Sequence, residues 1–232
     1  MGNGIAHVFA LNGFGVNLVE TSQQRAEKAL ETIDQNLQRM VEKEKIDNSD
    51  KNQALNNIHL FTSINEGVAE VELVVEAVPE NFDLKSQVFK NVEEVASNKV
   101  IFATNTSSIS ITRLAAETNR PEQFIGMHFF NPVPLMPLLE LVKGLETSEE
   151  TYSLIEQTAE QINKTPVAAE DSPGFVSNRV LMPMINEAIF CVHEGIAEPQ
   201  DVDAVMKLGM NHPMGPLRLA DFIGIKTFAW IS

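Results

Sequence analysis

MGNGIAHVFALNGFGVNLVE, residues 1–20, is the stretch that decides the fold. Ile5, Val8 and Phe9 recur at helical spacing, Gly13 follows where a helix would end, and 16–19 read as a short apolar strand closed by Glu20. The order is helix, turn, strand, acid. In a dinucleotide-binding βαβ unit a strand and a glycine-rich turn precede such a helix, and an acid ends the next strand, where it holds ribose hydroxyls. The stretch therefore predicts a Rossmann-type unit entered at its first helix, with the first strand and most of the turn missing.

The sequence beyond it continues the alternation. Thr21 and Gln24 make a capping-box pattern, and Ala26, Ala29, Leu30, Ile33, Leu37 and Met40 form one apolar stripe on a long helix. The opposite face carries Arg25, Lys28, Arg39 and Lys43, which read as a solvated face ahead of one that meets a phosphorylated ligand. Apolar runs at 58–61, 71–78, 100–104 and 124–128 predict strands, with helical patterns at 84–95 and 111–117 between them. A strand at 138–142, a helix at 149–162 and a last strand at 166–169 follow. Such alternation implies a doubly wound, mostly parallel sheet.

Near Ser172-Pro173-Gly174 the pattern changes. Only helices are predicted beyond it, with Met182, Ile185, Ile189 and Val192 lining the first and Val202, Val205 and Leu208 the second. The reading is α/β: a Rossmann-type domain over 1–172 and a smaller all-helical domain over 173–232. The helical part stops at Ala229-Trp230-Ile231-Ser232 without a capping signal, which predicts an incomplete core.

Composition narrows the function. Of 232 residues, 44% are apolar, enough for a substantial core. Acidic residues outnumber basic ones 32 to 17, and the net charge of −15 repels nucleic acid and anionic membrane alike. Any anionic ligand must be held by local groups. No apolar run approaches the ~20 residues of a membrane span, and no signal-peptide order opens the chain, so a cytoplasmic protein is expected. The single cysteine, Cys191, lies in an apolar helical stretch and reads as a buried, inert thiol.

Three clusters can carry chemistry. A strand ending in His128, a Pro-rich turn through Asn131, Pro132 and Pro134, and a strand carrying Glu140 can set imidazole and carboxylate side by side. An anion beside histidine raises its pKa and fixes its tautomer, as general acid–base work requires. On spacing alone the commoner outcome is a strand-end histidine satisfied by a backbone group. Thr104-Asn105-Thr106-Ser107-Ser108 follows an apolar strand, where open α/β sheets bind ligands, and Ser108 or Ser110 can also cap the next helix. Val75-Glu76-Ala77-Val78-Pro79-Glu80-Asn81 is a third strand-to-loop edge, with Asn81 placed to cap a helix. No metal-ligand spacing is evident.

Together these stretches resemble the 3-hydroxyacyl-CoA dehydrogenase family, closest to its short bacterial members, the 3-hydroxybutyryl-CoA dehydrogenases. The resemblance rests on Met1-Gly2-Asn3-Gly4-Ile5-Ala6, residues 103–108 and 126–134, Pro173-Gly174-Phe175 with Asn178-Arg179, and Asn211-His212-Pro213-Met214-Gly215-Pro216. It implies hydride transfer between a nicotinamide ring and carbon 3 of an acyl-CoA in fatty acid metabolism. It implies that His128 moves the proton of the 3-hydroxyl, that Glu140 orients His128, and that Ser107 and Asn178 bind substrate, in a cleft between the domains. NAD would be held by Gly2, Glu20, Glu80, Lys85, Asn105 and Asn131. Glu20 stands where the family often has Asp, and either acid favours NAD over NADP by repelling an extra phosphate.

Departures accompany the resemblance. The chain begins at the last two residues of the family's glycine-rich turn and ends inside its helical domain, so it is expected to be a fragment truncated at both ends, with the lost strand leaving a gap in the sheet. The family's helical domain also makes a homodimer contact. Pro137 sits where relatives often carry lysine. Two other functions stay in view: a hydride-transfer enzyme acting on a sugar acid or free hydroxy acid, and a catalytically silent binding protein.

Overall fold

The computed structural model describes residues 1–224, and the stretch at 229–232 lies outside them. Helix α1 (Gly2–Leu11), strand β1 (Val16–Val19), helices α2 (Gln23–Glu42) and α3 (Asn48–Asn56), strand β2 (Ile58–Phe61) and helix α4 (Ile64–Gly67) open the chain. Then come β3 (Leu73–Glu76), α5 (Phe82–Glu93), β4 (Ile101–Thr104), α6 (Ile111–Ala115), β5 (Phe124–Phe129), β6 (Leu138–Lys143), α7 (Glu149–Gln161) and β7 (Thr165–Glu170). Helices α8 (Ser177–His193), α9 (Pro199–Gly209) and α10 (Pro216–Ile223) follow. Contacts divide the chain into two compact units, which part between Asp171 and Ser172.

In the first unit the strands form two ladders. β1 pairs with β2 in parallel, and β3-β4-β5-β6-β7 form a five-stranded sheet. All pairs within that sheet are parallel except β5 with β6. β1 and β3 are each paired on one side only.

Side-chain alternation builds two layers on the sheet. Ile101, Ala103, Ile125, Met127, Phe129, Leu139 and Leu141 face a core completed by Ile5, Val8 and Phe9 of α1 and Ile155 and Ala159 of α7. On the opposite face Phe102 and Phe124 meet Phe89 of α5, with the Phe89 and Phe124 rings 4.6 Å apart. A Cβ on Gly126 would sit 2.9 Å from Val142 Cβ on β6 and 2.8 Å from Ile111 Cδ1 of α6, so a side chain there would force its neighbours to shift. A separate cluster joins Ala6 and Ala10 of α1 to Leu18, Ile33, Leu37, Ala54 and Ile58.

Local capping explains most boundaries and corrects some. The N-cap of α2 is Ser22, not Thr21: its side chain accepts from the Arg25 amide. Asn81 caps α5 by accepting from Leu84 N, and Ser110 rather than Ser108 caps α6. Helix α3 carries no apolar stripe and was not predicted; a reciprocal Asp47/Asp50 capping box marks its start. Arg25, Lys28, Arg39 and Lys43 are all exposed.

The second unit departs further from expectation. Met182 and Ile185 of α8 are buried, but Ile189 is exposed, and α9 buries no residue at all, with Leu208 at 83% exposure. Periodicity marks an apolar face; it does not supply a partner for it, and a unit this small covers little of its own surface. Cys191 is half-buried rather than buried. Asp203 ties α9 to α10, accepting from the Leu217 and Arg218 amides.

Candidate active site

The chemistry-bearing residues of the first unit gather where β3, β4 and β5 end. Antiparallel pairing of β5 and β6 sets His128 directly opposite Glu140. The ring donates from Nδ1 to Glu140 Oε2 at 2.7 Å, with His128 at 8% exposure and Glu140 at 2%. A cross-strand pair of this kind is held by the ladder itself, which fixes its geometry more firmly than a loop could. The Phe130 ring lies 4.6 Å from the imidazole.

Beside it, Asn105 bridges two strand ends. Its amide donates to Glu76 O, and its side-chain oxygen accepts from Phe129 N at 2.9 Å. The turn after it is organised by Glu80. One carboxylate oxygen accepts from Thr106 Oγ1, from the Ser107 and Ser108 amides, and from the Ser108 hydroxyl. Burial pushes the Glu80 carboxyl up, but the Thr106 bond, the Lys85 charge and the Ser107 and Ser108 donors together hold it below its usual value.

Lys85 lies beneath this turn at 1% exposure. Its ammonium reaches both Glu76 oxygens at 2.9 and 3.0 Å, Val78 O at 3.3 Å and Glu80 Oε2 at 3.4 Å. Thr104 Oγ1 and Val78 N complete the coordination of Glu76. Glu76 and Thr104 were not singled out by role in the sequence. Glu20 also ends an apolar run and meets no cation among the described residues, so the burial of Glu76 and its pairing with Lys85 come from the packing of α5 rather than from a sequence signal.

The remaining predicted residues are spread over several elements. Gly2 begins α1 and faces Ala77 just past β3, and a Cβ there would sit 3.7 Å from Ala77 Cβ. Glu20 directly follows β1, half-buried, with no cation in ion-pair range among the described residues. Asn131 is exposed, in the connection between β5 and β6. Ser107 is in the first unit, whereas Asn178 is in the second, buried in the first turn of α8.

An anionic dinucleotide fits these residues. Helix α1 has no side-chain cap, and the amides of Gly2 and Asn3 have no acceptor among the described residues, whereas Gly4 and Ile5 donate to Met1 O. Unclaimed amides at a helix start bind phosphate, and an unpaired acid after the next strand suits ribose hydroxyls. Among the described residues no helix is long and apolar enough to cross a membrane, and no cluster of histidine, cysteine or acidic groups could hold a metal.

Comparison with known proteins gives the family. Residues 1–172 match the family described as 3-hydroxyacyl-CoA dehydrogenase, NAD binding domain, and residues 174–232 match its C-terminal domain. A probable 3-hydroxybutyryl-CoA dehydrogenase of Deinococcus radiodurans is 50% identical over 227 residues, 98% of this chain and 81% of that one. The 3-hydroxybutyryl-CoA dehydrogenase of Bradyrhizobium diazoefficiens is 46% identical, covering 98% of this chain and 77% of that one. The crystal structure of (S)-3-hydroxybutyryl-CoA dehydrogenase from Ralstonia eutropha matches with a TM-score of 0.97 and 47% identity, over all of this chain and 81% of that one. A family match along the chain, with relatives at this identity, shows that the protein belongs to the 3-hydroxyacyl-CoA dehydrogenases.

Proposed function

We propose that this chain oxidises a short-chain 3-hydroxyacyl-CoA at carbon 3, taking 3-hydroxybutyryl-CoA in one direction and acetoacetyl-CoA in the other. The observation that carries the reading is the buried His128–Glu140 contact at 2.7 Å. When bound, NAD supplies the hydride acceptor or donor. With Nδ1–H given to Glu140, the lone pair of the neutral ring lies on Nε2. That nitrogen takes the proton of the 3-hydroxyl and returns it to the ketone oxygen in the reducing direction. Glu140 keeps the tautomer and offsets the imidazolium charge, an effect that grows where water is excluded. Ser107 and Asn178 hydrogen-bond the substrate near its oxygens.

Gly2 and Glu20 hold the cofactor through helix-start amides and a ribose-facing acid, with Asn105 and Asn131 alongside. Glu80 and Lys85 support that side by fixing the 106–108 turn. Residues 1–172 serve the cofactor, while residues 173–232 serve the acyl group and a homodimer contact. Exposed Val180, Phe190, Leu208 and Phe222 on α8, α9 and α10 favour the dimer.

The test is NADH oxidation by acetoacetyl-CoA, with wild type and His128→Gln compared. Turnover by wild type and its loss in the variant are expected. Turnover of free hydroxy acids or sugar acids without CoA esters would select the other hydride-transfer reading, and failure to bind NADH would select a silent binding protein.

A further inference from the structure

The connection between β5 and β6, residues 130–137, contains Pro132, Pro134 and Pro137, which have no amide hydrogen. Its internal bonds are few: Leu135 N and Met136 N both donate to Pro132 O. Three of its carbonyls are satisfied from outside, all by one two-residue segment at the start of β7. Lys164 Nζ donates to Val133 O at 2.6 Å and to Met136 O at 2.7 Å, and Thr165 N donates to Pro137 O at 2.8 Å.

Lys164 is 7% exposed and has no carboxylate in ion-pair range among the described residues. Burial lowers its pKa. Its charge is felt by His7 of α1, a wholly buried imidazole whose two nitrogens have no hydrogen-bond partner among the described residues and whose pKa is lowered to about 4 by burial and then by Lys164. A buried ammonium held by backbone carbonyls alone is costly where an apolar side chain could fill space. What it supplies instead is a pair of short, charge-assisted bonds to a segment with few bonds of its own.

The held segment reaches the cofactor side of the site. Val133 is buried against the first turn of α1, where a Cβ on Gly4 would lie 3.0 Å from Val133 Cβ and 3.2 Å from its Cγ2. The same segment starts one residue after β5, the strand of His128, and carries Asn131.

We propose that Lys164 is a positioning residue for the cofactor: its ammonium clamps the 130–137 connection so that Val133 stays seated on Gly4 and the start of α1 keeps its anion-receiving geometry. The proposal rests on the reading that α1 receives NAD. It assigns Lys164 to affinity for the dinucleotide rather than to proton transfer.

Lys164→Met removes the clamp at nearly constant length, and Gly4→Ala drives the connection off from the other side. For each, NADH affinity is measured by fluorescence titration, alongside KM for NADH, KM for acetoacetyl-CoA and kcat. Both variants are expected to weaken NADH binding and raise its KM about tenfold, as loss of an outer supporting group does elsewhere, with kcat and the acetoacetyl-CoA KM within about twofold of wild type. Unchanged NADH affinity in a folded Lys164→Met overturns the proposal, as does a kcat loss matching the affinity loss. Should Lys164→Met fail to fold by near-ultraviolet circular dichroism, Gly4→Ala decides by the same criteria. Wild-type turnover of acetoacetyl-CoA judges the proposed function separately: NADH binding without turnover sinks that function and leaves the Lys164 comparison readable, whereas a wild type that binds no NADH sinks the inference.

Discussion

Glu76 and Glu140 are both almost inaccessible carboxylates on one five-stranded sheet, yet their partners differ in kind. Glu76 is surrounded by donors fixed in place by the fold: the Lys85 ammonium on both oxygens, the Thr104 hydroxyl and the Val78 amide. Glu140 faces an imidazole, the side chain whose ordinary proton exchange falls near neutrality. A carboxylate held by an ammonium, a hydroxyl and an amide frames a site, whereas a carboxylate held against an imidazole can assist a proton transfer.

The largest effect that could break this contrast is on rate. His128→Gln is expected to lower kcat for acetoacetyl-CoA reduction by about 10³–10⁴-fold while leaving the melting temperature nearly unchanged. Retained turnover would make the His128–Glu140 pair as structural as the Glu76 pair. Next comes the other side of the comparison. Lys85→Met leaves Glu76 buried and uncompensated, and urea unfolding should show a loss of about 3–5 kcal/mol, most of it recovered when Glu76→Leu is added.

A third buried ionisable group sharpens the picture. His7 holds a depressed pKa, about 4 against 6.5, so the unfolded chain takes up a proton that the folded chain refuses. Stability should fall as pH drops from 6.5 towards 4, by about 3 kcal/mol in total. His7→Leu should abolish that slope, as followed by urea midpoints across the range. The smallest effect belongs to the exposed cations of α2. Arg25→Ala should change stability by no more than ~0.5 kcal/mol and leave the NADH KM unaltered. A raised KM there would revive a phosphate-binding role for that face.

The His128–Glu140 pair was legible because two strands split by a Pro-rich turn must pair antiparallel, and period-2 alternation then puts both side chains on one face. The order of α1, β1 and Glu20 was equally legible, since helical spacing, a turn glycine and an apolar run are all local signals. Lys85 was read from the resemblance as a cofactor residue, while its bond to Glu76 depends on how α5 packs beneath a strand end, which no spacing rule encodes. Lys164 was invisible for a different reason: its acceptors are carbonyls, which every residue has. The stripe on α9 misled because amphipathicity is a property of one helix and burial a property of two. The half-buried Cys191 on α8 reflects the same shortfall of covering surface.

The proton-transfer claim is tested most directly by a crystal structure with NAD and 3-hydroxybutyryl-CoA soaked together. The 3-oxygen is expected within hydrogen-bond reach of His128 Nε2, about 2.6–3.2 Å, with Nδ1 still bonded to Glu140. An imidazole lying out of reach of that oxygen, with no water between them, would contradict it.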